Sequence, residues 1–269
     1  MKELKEKIRE STERDGGPQV GSMALISVLL RSFTIQASWN YERLLGLGFL
    51  FSMMPGLRKI SSDEDSLRNS ASRHLELFNS HPYLTSYALG SSLKLEEECS
   101  GSGDVNEEAI RRWKKALLSP LGSLGDSLFW KSFRPLCGVL GVLLSLLLGW
   151  IGPIIYLITY NSLHLYVRTR GVFHSYAKGT ESMTEFSRSL YRRFPKWFEG
   201  MICVLMGSLL VLLYKGTAYL PPSSGTGEFF LLLVPVFWVL NRYFSPRFLL
   251  YATSIVVTVS VVLWELLIV

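Results

Sequence analysis

The sequence predicts a mostly α-helical, polytopic membrane protein. It would combine amphipathic or re-entrant helical hairpins, a cytosolic helical portion and several transmembrane helices. Three observations predict this. Residues 136–167 contain no Lys, Arg, Asp or Glu. Phe248–Val269 is a 22-residue apolar run whose single charge is Glu265, long enough to cross a bilayer. The net charge is +6, and residues 168–199 alone hold seven Lys/Arg against three Asp/Glu. Basic loops beside apolar runs stay on the cytosolic side.

The same charge map excludes other classes. Residues 1–20 are balanced at five and five, and residues 21–135 nearly so at thirteen and twelve. The surplus that could have suggested a nucleic-acid binder therefore sits at membrane flanks, with no recognition motif around it. An apolar content of 48% is too high for a disordered chain. Cys99, Cys137 and Cys203 are odd in number and far apart. With no CxxC or Cys/His spacing they predict neither a disulfide framework nor a metal site, and read as small buried hydrophobes.

Taken in order, residues 1–20 read as a charged cytosolic tail, since mixed charges do not make a signal peptide. Residues 21–60 read as an amphipathic or re-entrant segment. Its apolar runs, 23–30 and 44–57, are shorter than the roughly 20 residues a crossing needs. Glu42 and Arg43, between those runs, are expected to be buried inside protein. Residues 61–118 read as a cytosolic helical portion. Ser61–Glu64 carries capping oxygens ahead of a helix, 84–98 is a second helix, Ser100–Gly103 a connector, and 105–118 a third helix with a basic patch at Arg111, Arg112, Lys114 and Lys115. Residues 119–269 read as the membrane domain. It opens with a Gly/Pro-rich turn at 119–130, breaks at Gly152-Pro153 into a hairpin, and continues through the basic loop 168–199 to spans at about 200–220, 229–244 and 248–269.

No P-loop, GxGxxG, HExxH or GxSxG motif occurs, so no catalytic residue is assigned, and His74 reads as a surface or capping histidine. Asp126, in Gly122-Ser-Leu-Gly125-Asp126, has two readings. It is either a carboxylate that accepts sugar hydroxyls beside membrane spans, or a helix N-cap ordering a re-entrant tip. Trp39-Asn40-Tyr41-Glu42-Arg43 also has two. An aromatic face with amide and carboxylate groups suits a sugar, and an Arg–Glu pair could instead anchor an interfacial helix. Gln36 and Asn161 stand behind these as further polar groups near an apolar path.

These residues carry a family resemblance. Ser38-Trp39-Asn40-Tyr41-Glu42-Arg43, Gly46-Leu-Gly48-Phe49, Met53-Met-Pro55, Arg73-His-Leu-Glu-Leu-Phe-Asn79 and Gly122-Ser-Leu-Gly125-Asp126-Ser-Leu-Phe-Trp130 follow one another in the order found in the IID component of the mannose/fructose/sorbose-family sugar phosphotransferase system (PTS). Arg134-Pro135, Gly152-Pro153, Asn161 and Gly171…Tyr176-Ala-Lys178-Gly179 continue it. The resemblance is close over about 30–180 and rests on hydropathy elsewhere.

The resemblance implies a non-catalytic subunit of a bacterial inner-membrane permease, with its N-terminus cytosolic. Such a subunit pairs with a membrane IIC chain, in threes of IIC–IID pairs. Cytosolic IIA and IIB carry the phosphoryl group, and the pair translocates a hexose that IIB phosphorylates. It implies no cofactor and no nucleic acid. Gln36, Trp39, Asn40, Glu42, Asp126 and Asn161 are the positions it would place near the sugar path or the IIC contact. One departure stands out. Ser127 follows Asp126 where the family has Gly-Asp-Pro, and this motivates an alternative, a divergent non-transporting scaffold that binds PTS partners.

Overall fold

The computed structural model describes residues 20–101, 105–183 and 194–216. The chain divides into two compact units at Ile202/Cys203, and the elements below belong to the first unless stated otherwise. The regular elements among the described residues are helices, with only isolated bridges pairing Asn40 with Leu44 and Leu44 with Phe78. The predicted tail 1–19 and the apolar runs beyond residue 216 lie outside the described residues.

Helix α1 (Ser22–Ser32) buries Leu25, Val28 and Ser32 on one stripe, while Met23, Ile26 and Leu30 remain exposed. Helix α2 (Gly46–Ile60) packs against it with Phe49, Met53, Leu57 and Ile60 inward. Pro55 lies inside α2 and cannot donate to the Phe51 carbonyl. That carbonyl instead accepts from Arg31 Nη1 at 3.2 Å, and the Arg31 guanidinium sits 4.7 Å over the Phe51 ring. Helix α3 (Glu64–His74) starts where capping oxygens were expected, with Asp63 Oδ1 accepting from the Ser66 N–H at 2.7 Å.

Helix α4 (Thr85–Gly101) is the centre of the unit, with twelve of its residues buried. Several of its hydroxyls bond to carbonyls about one turn back along the chain. Ser86 Oγ donates to the Tyr83 carbonyl (2.8 Å) and Ser91 Oγ to that of Tyr87 (2.8 Å). Helix α5 (Glu107–Gly125), capped by Asn106 Oδ1 on the Ala109 N–H at 2.8 Å, continues without a break into a π-helical stretch, Asp126–Phe133, and then into α6 (Arg134–Leu148).

The Gly/Pro-rich segment 119–130, expected as a turn, is therefore helical. The wider π turn absorbs the register change ahead of Pro135, with Ser132 Oγ donating to the Ser127 carbonyl at 2.7 Å. The hairpin break is also displaced. It falls at Gly149, whose φ of 62° favours glycine, and not at Gly152-Pro153. Pro153 lies in the first turn of α7 (Ile151–Lys178), where no intrahelical partner waits for its missing N–H.

The predicted basic loop 168–199 begins as helix. Residues 168–178 are the end of α7, and Arg168 is buried rather than solvated. Its Nη1 donates to the Ser32 carbonyl and to Ser32 Oγ, and its guanidinium lies 4.6 Å from the Phe33 ring centre and 5.4 Å from that of Tyr83. Helix α8 (Phe194–Gly216) completes the described chain and runs across the unit boundary. Among the described residues one helix, Glu107–Leu148, is long and apolar enough to cross a membrane. Of the cysteines, Cys137 is buried as expected, Cys99 is half-buried and Cys203 is exposed.

The most extensive helix pair is α4 with α7. It closes through small residues four apart on each helix. Gly171 faces Ser86 and Gly90 faces Ser175, so the two run in the same direction. A Cβ on Gly90 would lie 2.8 Å from the Tyr176 backbone nitrogen, and one on Gly171 would lie 2.7 Å from Ser86 Cβ. The backbones approach only because both positions lack a side chain.

Candidate functional site

The site begins with a buried ion network that ties the end of α3, where the segment leading to α4 begins, to the middle of α4 and to α5. Arg73 Nε and Nη2 donate to the two oxygens of Glu96 at 2.7 and 3.0 Å. His74 Nε2 donates to Glu96 Oε1 at 2.7 Å. Arg73 Nη1 also reaches Glu107 Oε2 at 2.9 Å. Lys114 Nζ donates to the Arg73 carbonyl at 2.6 Å and lies 5.7 Å over the Phe49 ring. Two predicted surface features are thus interior. His74 is fully buried, and Lys114 of the predicted basic patch is 2% exposed. A charge is buried here only because it is paired and hydrogen-bonded.

Burial would raise the Glu96 carboxyl, but the hydrogen bonds from His74 and Arg73 outweigh it and hold the group down to about 2. Burial lowers His74 despite Glu96, so the ring is neutral and donates through Nε2. Both folded values lie below the ordinary ones. Each group therefore contributes stability above its unfolded pKa, and this is lost as pH falls toward the folded one. The purified protein should lose thermal stability between about pH 7.5 and 5.5, as His74 must charge on unfolding, and more steeply below about pH 4.5 from Glu96. In His74→Gln, which keeps a donor and removes one titration, the loss over the upper window should shrink in a thermal-melt series, with His81, also held well below its ordinary value, supplying part of the remainder.

The segment leading to α4 presents Leu77, Asn79, Ser80, His81 and Pro82 to a cleft of about 710 Å³. Its opposite wall is α5 and the π turn, with Leu118, Ser119, Gly122, Ser123, Asp126 and Trp130, and Leu44 closes one side. The Gly122–Asp126 motif acquires a reason here. The His81 ring is seated so close to Gly125 that a Cβ would collide with it. His81 stacks on Phe129 at 5.2 Å and contacts Trp130 at 5.0 Å. Its Nδ1 accepts from the Tyr83 N–H at 3.3 Å. Burial first, then the charges of Arg168 and His164, push it down to about 3. The ring is neutral, with the proton on Nε2. That nitrogen and Ser80 Oγ are buried with no hydrogen-bond partner among the described residues.

The predicted residues are distributed unevenly around this cleft. Asp126 lines it, exposed and in the middle of a continuous helix. It caps no helix N-terminus and orders no re-entrant tip. The segment of Trp39, Asn40 and Glu42 leads directly into Leu44 of the cleft wall. Leu44 has φ 53° and is tied to Asn40 by paired backbone hydrogen bonds of 2.9 and 3.3 Å. Within that segment the Asn40 amide is used locally, accepting from the Arg43 N–H at 2.8 Å. Trp39 and Tyr41 meet edge to face at 4.8 Å. Glu42 and Arg43 pair at 3.4 Å with side chains 79% and 40% exposed, which corrects the expected burial. Gln36 is exposed. Asn161 is exposed on α7 with Nδ2 bonded to its own helix at the Leu157 carbonyl, 2.8 Å. Sequence reasoning does not single out Asn79, Ser80 or His81. The signals that could have found them are Asn79, which closes the Arg73–Asn79 motif, and Gly125, which leaves room for a ring.

A family model, the IID component of the mannose/fructose/sorbose PTS, matches residues 19–228. The chain belongs to this family. It is 31% identical over 211 residues to the mannose-specific EIID component of Escherichia coli O6:H1, covering 78% of this chain and 72% of that one. Against the mannose-specific EIID component of E. coli K12 it is 33% identical, covering 68% of this chain and 65% of the relative, just under two thirds. With the fructose permease IID component of Bacillus subtilis it shares 28% identity, over 69% and 68%. Two solved structures share the fold at 26% identity, each covering 91% of this chain and 97% of the other. One, described as a membrane protein, has a TM-score of 0.68. The other, the mannose transporter ManYZ in complex with microcin E492, has a TM-score of 0.57. In this IID protein two of the motifs that carry the resemblance meet at the cleft. Arg73–Asn79 holds and forms one wall, and Gly122–Trp130 forms the other.

Proposed function

We propose that this IID chain is a non-catalytic membrane subunit of a mannose-family PTS permease in the bacterial inner membrane. It pairs there with a IIC chain to translocate a hexose that cytosolic IIB, charged by IIA, phosphorylates. The observation that carries this reading is the coincidence of the family match over 19–228 with a cleft built from that family's motifs. The α6–α7 hairpin supports a bilayer location. Residues 136–167 are uncharged, and Val142, Leu146, Leu147, Ile154, Leu157 and Ile158 are exposed along it, with Trp150 75% exposed at the tip. So large an apolar surface calls for lipid or a partner chain. From Ile151 to Val167, α7 rises about 25 Å, near the roughly 30 Å of hydrocarbon.

In this reading the chain is organised as a cytosolic tail (1–20), an amphipathic segment (21–60), a cytosolic helical portion (61–118) and a membrane domain (119–269). Its N-terminus is cytosolic and IIC–IID pairs group in threes. Gln36, Trp39, Asn40, Glu42, Asp126 and Asn161 contribute to the IIC contact or the sugar path. The scaffold alternative rests on Ser127. The π turn forms with serine there, its carbonyl accepting from Ser132, so the departure leaves the cleft wall intact and gives no reason to prefer the alternative. Co-expression with a mannose-type IIC chain and affinity capture through this chain tests the reading. A stable IIC–IID complex is expected, and failure to capture any IIC would refute it.

A further inference from the structure

We propose that the cationic and aromatic surface where α8 meets the π turn binds the headgroup phosphate of an anionic phospholipid. The proposal rests on the bilayer location in the permease reading and goes beyond it, by assigning to the IID chain a site for a lipid of stated charge.

Two helices lose their charges at the same level. The π turn and the start of α6 carry Lys131 and Arg134, and residues 136–167 then contain no Asp, Glu, Lys or Arg. Helix α8 carries Lys196 and Glu199, and residues 200–214 are again free of charge. The two transitions touch. Lys131 Nζ pairs with Glu199 Oε1 at 3.0 Å, and the Phe133 and Phe198 ring centres lie 5.4 Å apart. All four residues belong to the first unit. Beyond the border the exposed side chains include Val142 and Leu146 on α6 and Met201 on α8. A change from charged to apolar that runs across two packed helices marks the headgroup level of a bilayer.

The chemistry of the border suits an anion. Residues 130–134 and 196–199 together hold three cations and one acid. That acid, Glu199, is engaged by Lys131. Arg134 and Lys196 are exposed and have no ion-pair partner among the described residues. The Arg134 guanidinium lies 5.4 Å over the Trp130 ring. Stacking steadies the fork without engaging its N–H groups, the arrangement that takes a phosphate in bidentate fashion. Trp130 and Trp197 are both exposed. Indoles favour this depth, with the ring toward the acyl chains and the N–H toward the headgroups.

The surplus of cations sets the selectivity. A zwitterionic headgroup offsets its phosphate with an ammonium and gains little from such a surface, whereas an anionic one keeps its charge. A lipid also covers the apolar side chains beyond the border, which a free phosphate leaves exposed.

The test uses the purified complex of this chain with a IIC partner, stripped of lipid in detergent. Dioleoylphosphatidylglycerol, dioleoylphosphatidylcholine and inorganic phosphate are titrated into wild type, Arg134→Gln, Lys196→Gln and Arg112→Gln. Bound lipid is counted by native mass spectrometry and the thermal midpoint is followed in parallel. The wild type should bind the phosphatidylglycerol at least about tenfold more tightly than the phosphatidylcholine. It should gain thermal stability from that lipid and none from inorganic phosphate at the same concentration. Arg134→Gln and Lys196→Gln should each weaken the phosphatidylglycerol about fivefold. Arg112→Gln, which removes an exposed cation near the start of α5, should leave it unchanged. Lys196→Gln keeps the test decisive if Arg134→Gln fails to assemble. Equal affinity for the two lipids, no loss in either border variant, an equal loss in Arg112→Gln, or displacement of the lipid by inorganic phosphate overturns the headgroup site and leaves the permease reading standing. Failure of this chain to capture any IIC overturns the permease reading, and the same lipid series on the chain alone then decides the headgroup site.

Discussion

Replacing Glu96 with glutamine is expected to destabilise the protein by about 3–5 kcal/mol. Glu96 is 4% exposed and accepts three charged or polar donors, two from Arg73 and one from His74. A neutral amide offers one acceptor oxygen and sets an N–H₂ against donors. Arg73, 6% exposed, keeps only the more exposed Glu107 as an ionic partner among the described residues. Removing one partner of a buried pair leaves the other charge uncompensated, which is why the loss exceeds that of a surface pair. Because Arg73 and His74 end α3 and Glu96 belongs to α4, the damage should reach the segment between them and the cleft it lines. The drop should appear as a lowered thermal midpoint in detergent and a lower yield of folded protein. Glu98→Gln, with its side chain 38% exposed, should change the midpoint by less than about 0.5 kcal/mol equivalent.

The second large effect is expected at the α4–α7 crossing. Gly90→Leu should cost about 3 kcal/mol or more, because the new side chain meets backbone as well as the Ser175 hydroxyl. The atoms in its way include the Val172 carbonyl and the Tyr176 nitrogen. Relief would require α7 to move away from α4. That movement would also disturb the hydrogen bond of 2.6 Å from Tyr176 Oη to Glu97 Oε1 and the Arg168 contact with Ser32. Gly138→Leu is the matched control, since a Cβ there meets nothing within 4 Å. Detergent-extracted yield and monodispersity on gel filtration should fall for Gly90→Leu and hold for Gly138→Leu.

Much of the helix order is legible in the sequence, because capping oxygens and apolar periodicity are local signals. The Asp63 cap and α4 fall where those signals put them. The features that a linear reading misses depend on tertiary context. Gly122, Gly125 and Pro120 look like turn residues along the chain, yet they lie in a continuous helix. Gly125 is there to seat the His81 ring, a contact 44 positions away. Lys114, His74 and Arg168 look like solvated polar groups until the helices that cover them are in place. The site is half legible. Asp126 stands out because an acid in a glycine-rich, apolar segment is unusual. Ser80 and His81 carry no sequence pattern of their own and gain meaning only through burial. The Trp39–Arg43 segment has the chemistry of a sugar site, but its Asn40 amide and Glu42–Arg43 pair are engaged locally, and the cleft is lined by the next residue, Leu44, and by none of the five.

The most direct test is hexose uptake in bacterial cells that lack their own mannose-type IID chain. The cells would carry this chain together with IIC, IIA and IIB partners. Uptake and phosphorylation of mannose, fructose or sorbose should appear with the wild-type chain, and should fall sharply when Asp126→Asn replaces it at equal membrane abundance. No hexose uptake with the assembled wild-type complex would contradict the permease reading.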